Sequence, residues 1–130
     1  MANNPYVDFA VEQFEPLGTI TAKAMFGGHT LYCDGIPFAL IAGGAVYLKA
    51  DDQNRPCFEA RSLAAFRPFP DRPLVLQYYE LPAEAFEDPL ALRLWGGGAV
   101  DAGRRAQARR TRGKQAGKKR GHLEIADLMA

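Results

Sequence analysis

Two side chains that could bind a transition metal lie close together in the sequence, His29 and Cys33. On one β-strand they would point to the same face, because alternate residues of a strand share a side. Imidazole nitrogen and thiolate sulfur are both zinc ligands. A third ligand would have to come from Cys57 or His122, and the spacing favours neither. We therefore expect a partly buried histidine and a core cysteine, with no metal site.

A second group that could do chemistry is Tyr78-Tyr79-Glu80, two phenols and a carboxylate on successive residues. General acid–base catalysis needs such groups in a pocket that perturbs their pKa, and the sequence shows neither. A sheet position beside a helix-capping carboxylate is the simpler interpretation. The acidic residues Glu84, Glu87 and Asp88 fit a solvated first helical turn, where the helix dipole favours negative charge.

The glycine motifs of nucleotide-binding proteins are incomplete. Gly96-x-Gly98 has Asp101 where a dinucleotide fingerprint requires its third glycine, and no strand precedes it. Gly113-Lys114 is followed by Gln115 and lacks the upstream glycine of a phosphate loop. We therefore expect no catalytic residue, no cofactor and no enzymatic activity.

The densest chemical signal is a basic segment near the C-terminus. Residues 104–122 carry nine basic side chains and no acid, whereas residues 1–103 carry seven basic and thirteen acidic ones. Such density suits phosphate neutralisation, but no aromatic residue follows Trp95, so base stacking is unavailable. Two interpretations stay open: weak, sequence-nonspecific nucleic-acid binding, or an extension that solubilises the chain or docks on its acidic body. The candidate nucleic-acid-binding residues are Arg104, Arg105, Arg109, Arg110, Arg112, Lys114, Lys118, Lys119 and Arg120.

Length and composition set the class of protein. The 130 residues, 48% hydrophobic and 24% charged, fit one globular domain that needs no disulfide or structural metal. Residues 1–20 lack the basic start and apolar run of a signal peptide, and no window approaches the ~18 apolar residues of a membrane span. We expect a cytoplasmic protein with reduced cysteines and no membrane contact.

The elements that would position these residues centre on the stretch from Met25 to Ala50. Asp34-Gly35 and Gly43-Gly44 tolerate the positive φ angles of two-residue hairpin turns, which predicts three antiparallel strands. With two-residue turns throughout, Cys33 faces Ile36, Leu31 faces Phe38 and His29 faces Leu40. Across the second turn Ile41 faces Val46, Ala39 faces Leu48, and Phe38 and Leu40 meet Lys49 and Tyr47. Apolar groups then occupy both faces of the sheet, which indicates helices on one face and a second contact on the other.

Sequence signals on either side of this stretch predict the remaining helices and strands. Asn3-Asn4-Pro5 starts a helix that Pro16 and Gly18 end, and Thr19–Lys23 is a first strand or an extended lead. A short helix near Pro56–Arg61 directs Phe58 inward, a hairpin joins residues 65–69 to 74–79, and a final helix meets an interruption at Gly96–Gly98. The order is helix, three strands, helix, two strands, helix. This predicts a two-layer α+β sandwich on a curved, mainly antiparallel sheet, with a domain at 1–98 and a partly disordered or helical basic tail at 99–130.

Four segments in order carry a family resemblance: MFGG, LYCDGIPFALIAGGAVYLKAD, NRPCFEA and YYELPAEAFEDP. Over roughly residues 5–95 the chain resembles the TfoX (Sxy) N-terminal domain family. The resemblance implies a small α+β fold and a role as transcriptional co-regulator of natural competence. Two departures are visible: a polar, basic segment stands where full-length members carry a helical second domain, and Ser62 stands where relatives often have glycine.

The resulting hypothesis is a non-enzymatic regulatory module that binds a protein partner, with the transcription machinery as the candidate. The alternative is a sequence-nonspecific nucleic-acid-associated protein that acts through its basic tail. A small-molecule enzyme or binder is a third class, and a homodimer stays open.

Overall fold

The computed structural model describes residues 5–25, 27–68 and 76–117. Five antiparallel strands form one sheet in the order β1-β2-β3-β4-β5 within these residues. The predicted α+β fold with helices packed on a mainly antiparallel sheet is confirmed. The helices are α1 (Pro5–Phe14), α2 (Arg55–Ala60) and α3 (Pro89–Gly117), with short 3-10 helices at Glu15–Leu17 and Ala83–Glu87; the strands are β1 (Ile20–Met25), β2 (Gly28–Cys33), β3 (Ile36–Ala42), β4 (Ala45–Lys49) and β5 (Tyr78–Glu80).

The two predicted hairpin turns are present. Asp34 and Gly35 have φ of 51° and 82°, and Gly43 and Gly44 have φ of 59° and 77°. Two successive positive φ angles are the signature of the type I′ turn, whose twist matches that of the strands it joins. The two turns therefore fix the end of β2, both ends of β3 and the start of β4.

The predicted register between β2 and β3 is correct at the turn and wrong beyond it. Cys33 pairs with Ile36 as expected, but Leu31 pairs with Ala39 and His29 with Ile41. A β-bulge at Phe38 inserts one extra residue into β3 and shifts every later pair. The bulge keeps both Phe38 and Ala39 in the helix-covered core. The Phe38 ring packs edge-on against Phe14 of α1, with centroids 5.2 Å apart.

Beyond the bulge, the expected pairing of β3 with β4 is confirmed, with Ile41 opposite Val46, Leu40 opposite Tyr47 and Ala39 opposite Leu48. The expected pair of Phe38 with Lys49 is not part of this register, because Phe38 is the bulged residue. Both faces of the sheet carry apolar side chains, as predicted. The helix-covered face holds the larger cluster, built around Phe14, Phe38, Phe58, Leu48 and Leu92. The opposite face holds a smaller cluster of Leu40, Leu76 and Tyr78, against which Phe66 and Tyr47 pack.

The strand count around α2 differs from the prediction of three before it and two after it. Ile20–Met25 pairs along its whole length with β2, so four strands precede α2. After α2, among the described residues, Tyr78–Glu80 is the one strand. The predicted hairpin partner is represented by a bridge from Ala65 to Tyr79 and by backbone hydrogen bonds of Phe66 with Tyr78 and Leu76. The predicted turn at residues 70–73 lies outside the described residues. The expected edge position for the segment before Pro68 is consistent with that single bridge.

The largest departure from prediction is α3, which continues through Gly96–Gly98 to Gly117. Three glycines weaken an isolated helix by about 1 kcal/mol each relative to alanine. In this fold, Gly96 and a later glycine of α3, Gly103, let the helix lie close to its neighbours. A Cβ on Gly96 would lie 2.9 Å from the Leu17 and Phe14 side chains, and one on Gly103 would lie 2.6 Å from Ile36. This close packing of α3 on its neighbours thus offsets the low helix propensity of the glycines. The predicted boundary at residue 98 falls inside α3, where Ala99, Val100 and Ala102 are buried.

Candidate functional site

The predicted basic residues begin on an ordered helix. Arg104, Arg109, Arg110 and Arg112 are exposed on α3, and Lys114 also belongs to α3. Lys118, Lys119 and Arg120 lie outside the described residues. No acidic residue occurs in α3 after Asp101. The first part of the predicted tail is therefore a basic helix that leaves the packed body.

Arg105 is the exception among these residues. Its Nε donates to Asp51 Oδ2 at 2.6 Å and its Nη2 donates to Asp51 Oδ1 at 2.9 Å, a two-pronged ion pair between α3 and the segment after β4. The Asp51 side chain is 13% exposed and that of Arg105 30%. The hydrogen bond from Arg105 lowers the pKa of Asp51 to about 2, against the effect of burial. Arg105 was predicted as a phosphate contact, but the structure engages it inside the domain.

Asp51 also organises the turn that leads into α2. Its Oδ1 accepts a hydrogen bond from the backbone N–H of Gln53 at 3.0 Å. The Asp51 N–H in turn donates to Asn54 Oδ1 at 2.7 Å, and Asn54 Nδ2 donates to the carbonyl oxygens of Lys49 and Gly98. The turn and α3 are thus held together by one network. Sequence reasoning missed it, because 54 residues separate Asp51 from Arg105 and no local pattern links them.

The acidic residues before α3 have structural roles. Asp88 Oδ1 accepts from the N–H groups of Leu90 at 3.1 Å and Ala91 at 3.3 Å, which satisfies donors of the first turn of α3. Glu84 forms an exposed ion pair with Arg61. Asp88 and Glu84 thus lie at helix starts as predicted, whereas Glu87 is the last residue of the 3-10 helix Ala83–Glu87.

His29 and Cys33 lie on the same strand, β2, as predicted. Cys33 is fully buried and its Sγ donates to the Leu17 carbonyl at 3.5 Å. Burial, and secondarily the nearby Asp34 carboxylate, raises the pKa of the Cys33 thiol, which makes it a poor nucleophile and a poor metal ligand. Across the described ranges, no three His, Cys, Asp or Glu side chains are grouped to hold a metal ion. His122 lies outside those ranges.

The Tyr78-Tyr79-Glu80 segment forms β5, so these side chains alternate across the sheet. Tyr78 is buried, and burial raises the pKa of its hydroxyl, which has no hydrogen-bond partner among the described residues. Tyr79 stacks on Phe58 with ring centroids 5.3 Å apart. Both rings therefore serve packing, and a phenol with a raised pKa is a weak general acid at neutral pH.

An apolar cleft of about 300 Å³ opens between α2 and α3. Phe58, Trp95 and Leu94 supply most of its apolar lining, and Phe58 and Trp95 contact each other with centroids 5.1 Å apart. Leu94 is 70% exposed, and Leu90, one helical turn earlier, is 61% exposed. The signal for this surface was present in the sequence, because Leu90, Leu92 and Leu94 cannot all face inward from one helix. The complete lining is Asn54, Cys57, Phe58, Leu94, Trp95 and Gly98; we call it the α2–α3 cleft.

Comparison with known protein families gives a match that covers most of the chain. The family model for the TfoX N-terminal domain matches residues 12–103 of the 130-residue chain, which span every described strand and α2. No curated protein matches the chain. Within the described residues, no helix combines the length and apolar character that crossing a bilayer requires.

Proposed function

The chain belongs to the TfoX N-terminal domain family, and from that membership we propose that it is a non-enzymatic regulatory module acting through a protein partner. The role is that of a transcriptional co-regulator of the competence type, exerted in the cytoplasm on the transcription machinery. The α2–α3 cleft is the surface that makes the contact.

The observation that carries this proposal is the pair of exposed leucines beside the cleft. Leu90 and Leu94 lie one turn apart on α3, so their side chains are neighbours on the helix surface. Exposed apolar residues that adjoin an apolar cleft are typical of protein interaction sites, and Trp95 supplies the kind of aromatic anchor found at their centres. The partner presents an apolar side chain to the cleft. Basic residues flank that side chain, because residues 1–103 carry a net charge of −6.

The test is affinity capture from nuclease-treated native lysate with three full-length baits: wild type, Leu94→Gln and Arg93→Gln. Arg93 is the adjacent exposed residue on α3 and serves as the matched control. We expect one protein to be enriched by wild type and Arg93→Gln and lost with Leu94→Gln. Equal melting temperatures of the three baits ensure that the loss reflects the surface and not the fold.

Transcript profiling completes the test. Genes whose expression changes in a strain lacking the chain should recover with wild type and Arg93→Gln, but not with Leu94→Gln. Equal recovery by all three versions, or a captured partner that Leu94→Gln retains, would contradict the role of the cleft. Unchanged transcripts in the deletion strain would contradict the regulatory role itself.

A second candidate function is nucleic-acid association, favoured by the exposed arginines of α3 that follow Asp101. Binding through phosphates alone is weak, about 10⁻⁴ to 10⁻⁶ M at physiological salt, and indifferent to sequence. We expect log K to fall with log salt at a slope of about −3 to −5 for the wild type, because a basic segment places only some of its charges on phosphates. In the full-length chain, Arg104→Ala with Arg112→Ala should make that slope less steep by up to about 2, the value reached if both side chains contact phosphates. Binding that prefers one duplex sequence would contradict this mode.

A further inference from the structure

The two edges of the sheet differ in how they end. The edge strand β5 has three residues, and the segment at residues 64–66 pairs with its outer side. There the Phe66 N–H donates to the Tyr78 carbonyl at 2.7 Å, and the Glu80 N–H donates to the Ala64 carbonyl at 2.9 Å. The other edge strand, β1, has six residues, and no described residue pairs with its outer side. The β1 edge is therefore the place where this sheet can accept a further strand.

The direction of the β1 backbone groups follows from the pairing of β1 with β2. The Asp34 N–H donates to the Thr19 carbonyl at 2.8 Å, so these two residues form a hydrogen-bonded pair at the end of the ladder. Hydrogen-bonded and non-hydrogen-bonded pairs alternate along an antiparallel ladder, and the register between β1 and β2 has no shift. The N–H and C=O groups of Ile20, Ala22 and Ala24 therefore point away from β2, toward the open edge.

The features that protect sheet edges in other proteins are mostly missing from β1. Natural edge strands are short, carry proline or charge, contain a bulge, or are covered. β1 is described along its whole length, contains no proline and pairs with β2 without a bulge. Its four central residues, Thr21–Ala24, are exposed, and Lys23 is the charged one among them. The backbone between these mostly small side chains is thus accessible to another strand.

The β1 sequence is compatible with antiparallel pairing to a second copy of itself. The two-fold axis of such a pair is perpendicular to the sheet and keeps each side chain on its own face, so opposite residues are both even-numbered or both odd-numbered. With the axis at Ala22, that residue lies opposite its own copy and Ile20 lies opposite Ala24. These are the residues whose backbone groups point outward. Thr21 then lies opposite Lys23, whereas an axis at Lys23 would place two lysines opposite each other, which is unfavourable.

We propose that the chain forms a two-fold symmetric dimer through β1, in which the two sheets join into one sheet of ten strands, five from each copy. The outward-facing residues exchange about six backbone hydrogen bonds, two for each opposite pair. One strand from each copy makes the contact, so the interface is small and the dimer is weak and concentration-dependent. No residue of β1 lines the α2–α3 cleft, so this dimer goes beyond the proposed function and does not depend on it.

The test is sedimentation equilibrium of the full-length chain from micromolar to near-millimolar concentration. We expect the wild type to show a reversible equilibrium between monomer and dimer. Ala22→Pro removes an N–H that points to the edge and not to β2, so it should abolish the dimer while the monomer stays folded. Ala22→Ser keeps that N–H and is the matched control, which should dimerise as the wild type does. Thermal unfolding at low concentration checks that each variant folds.

Charge variants at position 21 test the register and leave every backbone group in place. Thr21→Lys should weaken the dimer about two- to thirtyfold, because like charges then face each other at two places across the axis. Adding Lys23→Glu to Thr21→Lys should restore the dimer, since each opposite pair then carries unlike charges. Thr21→Glu alone should strengthen the dimer for the same reason.

Three results would overturn the proposal. The first is a chain that stays monomeric over the whole concentration range. The second is a dimer that a correctly folded Ala22→Pro variant leaves intact. The third is a dimer on which Thr21→Lys and Thr21→Glu act in the same direction, because the proposed register places both substituted side chains opposite Lys23.

Discussion

The ion pair between Asp51 and Arg105 links α3 to the segment that follows β4, and Asp51→Asn removes its charge while keeping the side-chain size. The pKa of Asp51 falls from an ordinary value of 3.8 to about 2 in the folded domain. That difference corresponds to about 2 kcal/mol of folding stability at neutral pH. Asp51→Asn should therefore lower the free energy of unfolding by about 2 kcal/mol at pH 7.

The pH dependence follows from the sign of the change. A carboxyl group whose pKa is lowered by folding stabilises the domain above its unfolded pKa, and this stability is lost as the pH falls through the folded pKa. The difference between wild type and Asp51→Asn should thus be constant above about pH 5, fall to about half at pH 3 and vanish below pH 2.

Urea unfolding of both proteins from pH 7 to pH 3 measures this difference, with Asp52→Asn as the control. Asp52 pairs with Arg55, but its side chain is 92% exposed, so its substitution should leave stability nearly unchanged. Equal effects of the two substitutions at pH 7 would refute the reasoning. So would an Asp51→Asn effect that stays the same at pH 3, because its source could not then be the charge of Asp51.

Three further predictions concern the turns, the long helix and the thiols. Gly35→Val should lower the unfolding free energy by about 1–2 kcal/mol, because a φ of 82° strains a branched residue. No neighbouring atom crowds a Cβ at this position, so the backbone strain is the whole cost. An unchanged urea midpoint would contradict the type I′ turn. Gly103→Ala should lower the unfolding free energy by about 1–3 kcal/mol, because the added methyl group collides with Ile36. The control Gly97→Ala should leave the unfolding free energy unchanged or raise it by up to about 1 kcal/mol. A stabilising effect of Gly103→Ala would mean that α3 does not pack as described. A thiol reagent should modify the exposed Cys57 rapidly and Cys33 only on unfolding, since Cys33 is buried and its pKa is raised. Rapid modification of both thiols in the folded chain would contradict the burial of Cys33.

Features that depend on a few neighbouring residues followed from the sequence alone. Asp34-Gly35 and Gly43-Gly44 specify type I′ turns, because few other residues accept two successive positive φ angles. The short helix with Phe58 inward also followed from local signals, a proline at its first turn and one apolar side chain. Ser62 has a φ of 57°, a left-handed conformation that glycine adopts without steric cost.

Features that depend on residues far apart in the chain emerged only in the folded structure. The bulge at Phe38 arises because its ring packs on Phe14, a contact that turn chemistry cannot anticipate. The uninterrupted α3 reflects the same limit: glycine disfavours a helix in isolation, yet Gly96 and Gly103 let this helix approach α1 and β3 closely. The basic segment is likewise uniform in sequence, but in the fold its Arg105 binds Asp51. In each case a contact between residues far apart in the chain stabilises a conformation that the local sequence does not favour. Such a contact forms only when the fold brings its two partners together, so local sequence patterns do not predict it.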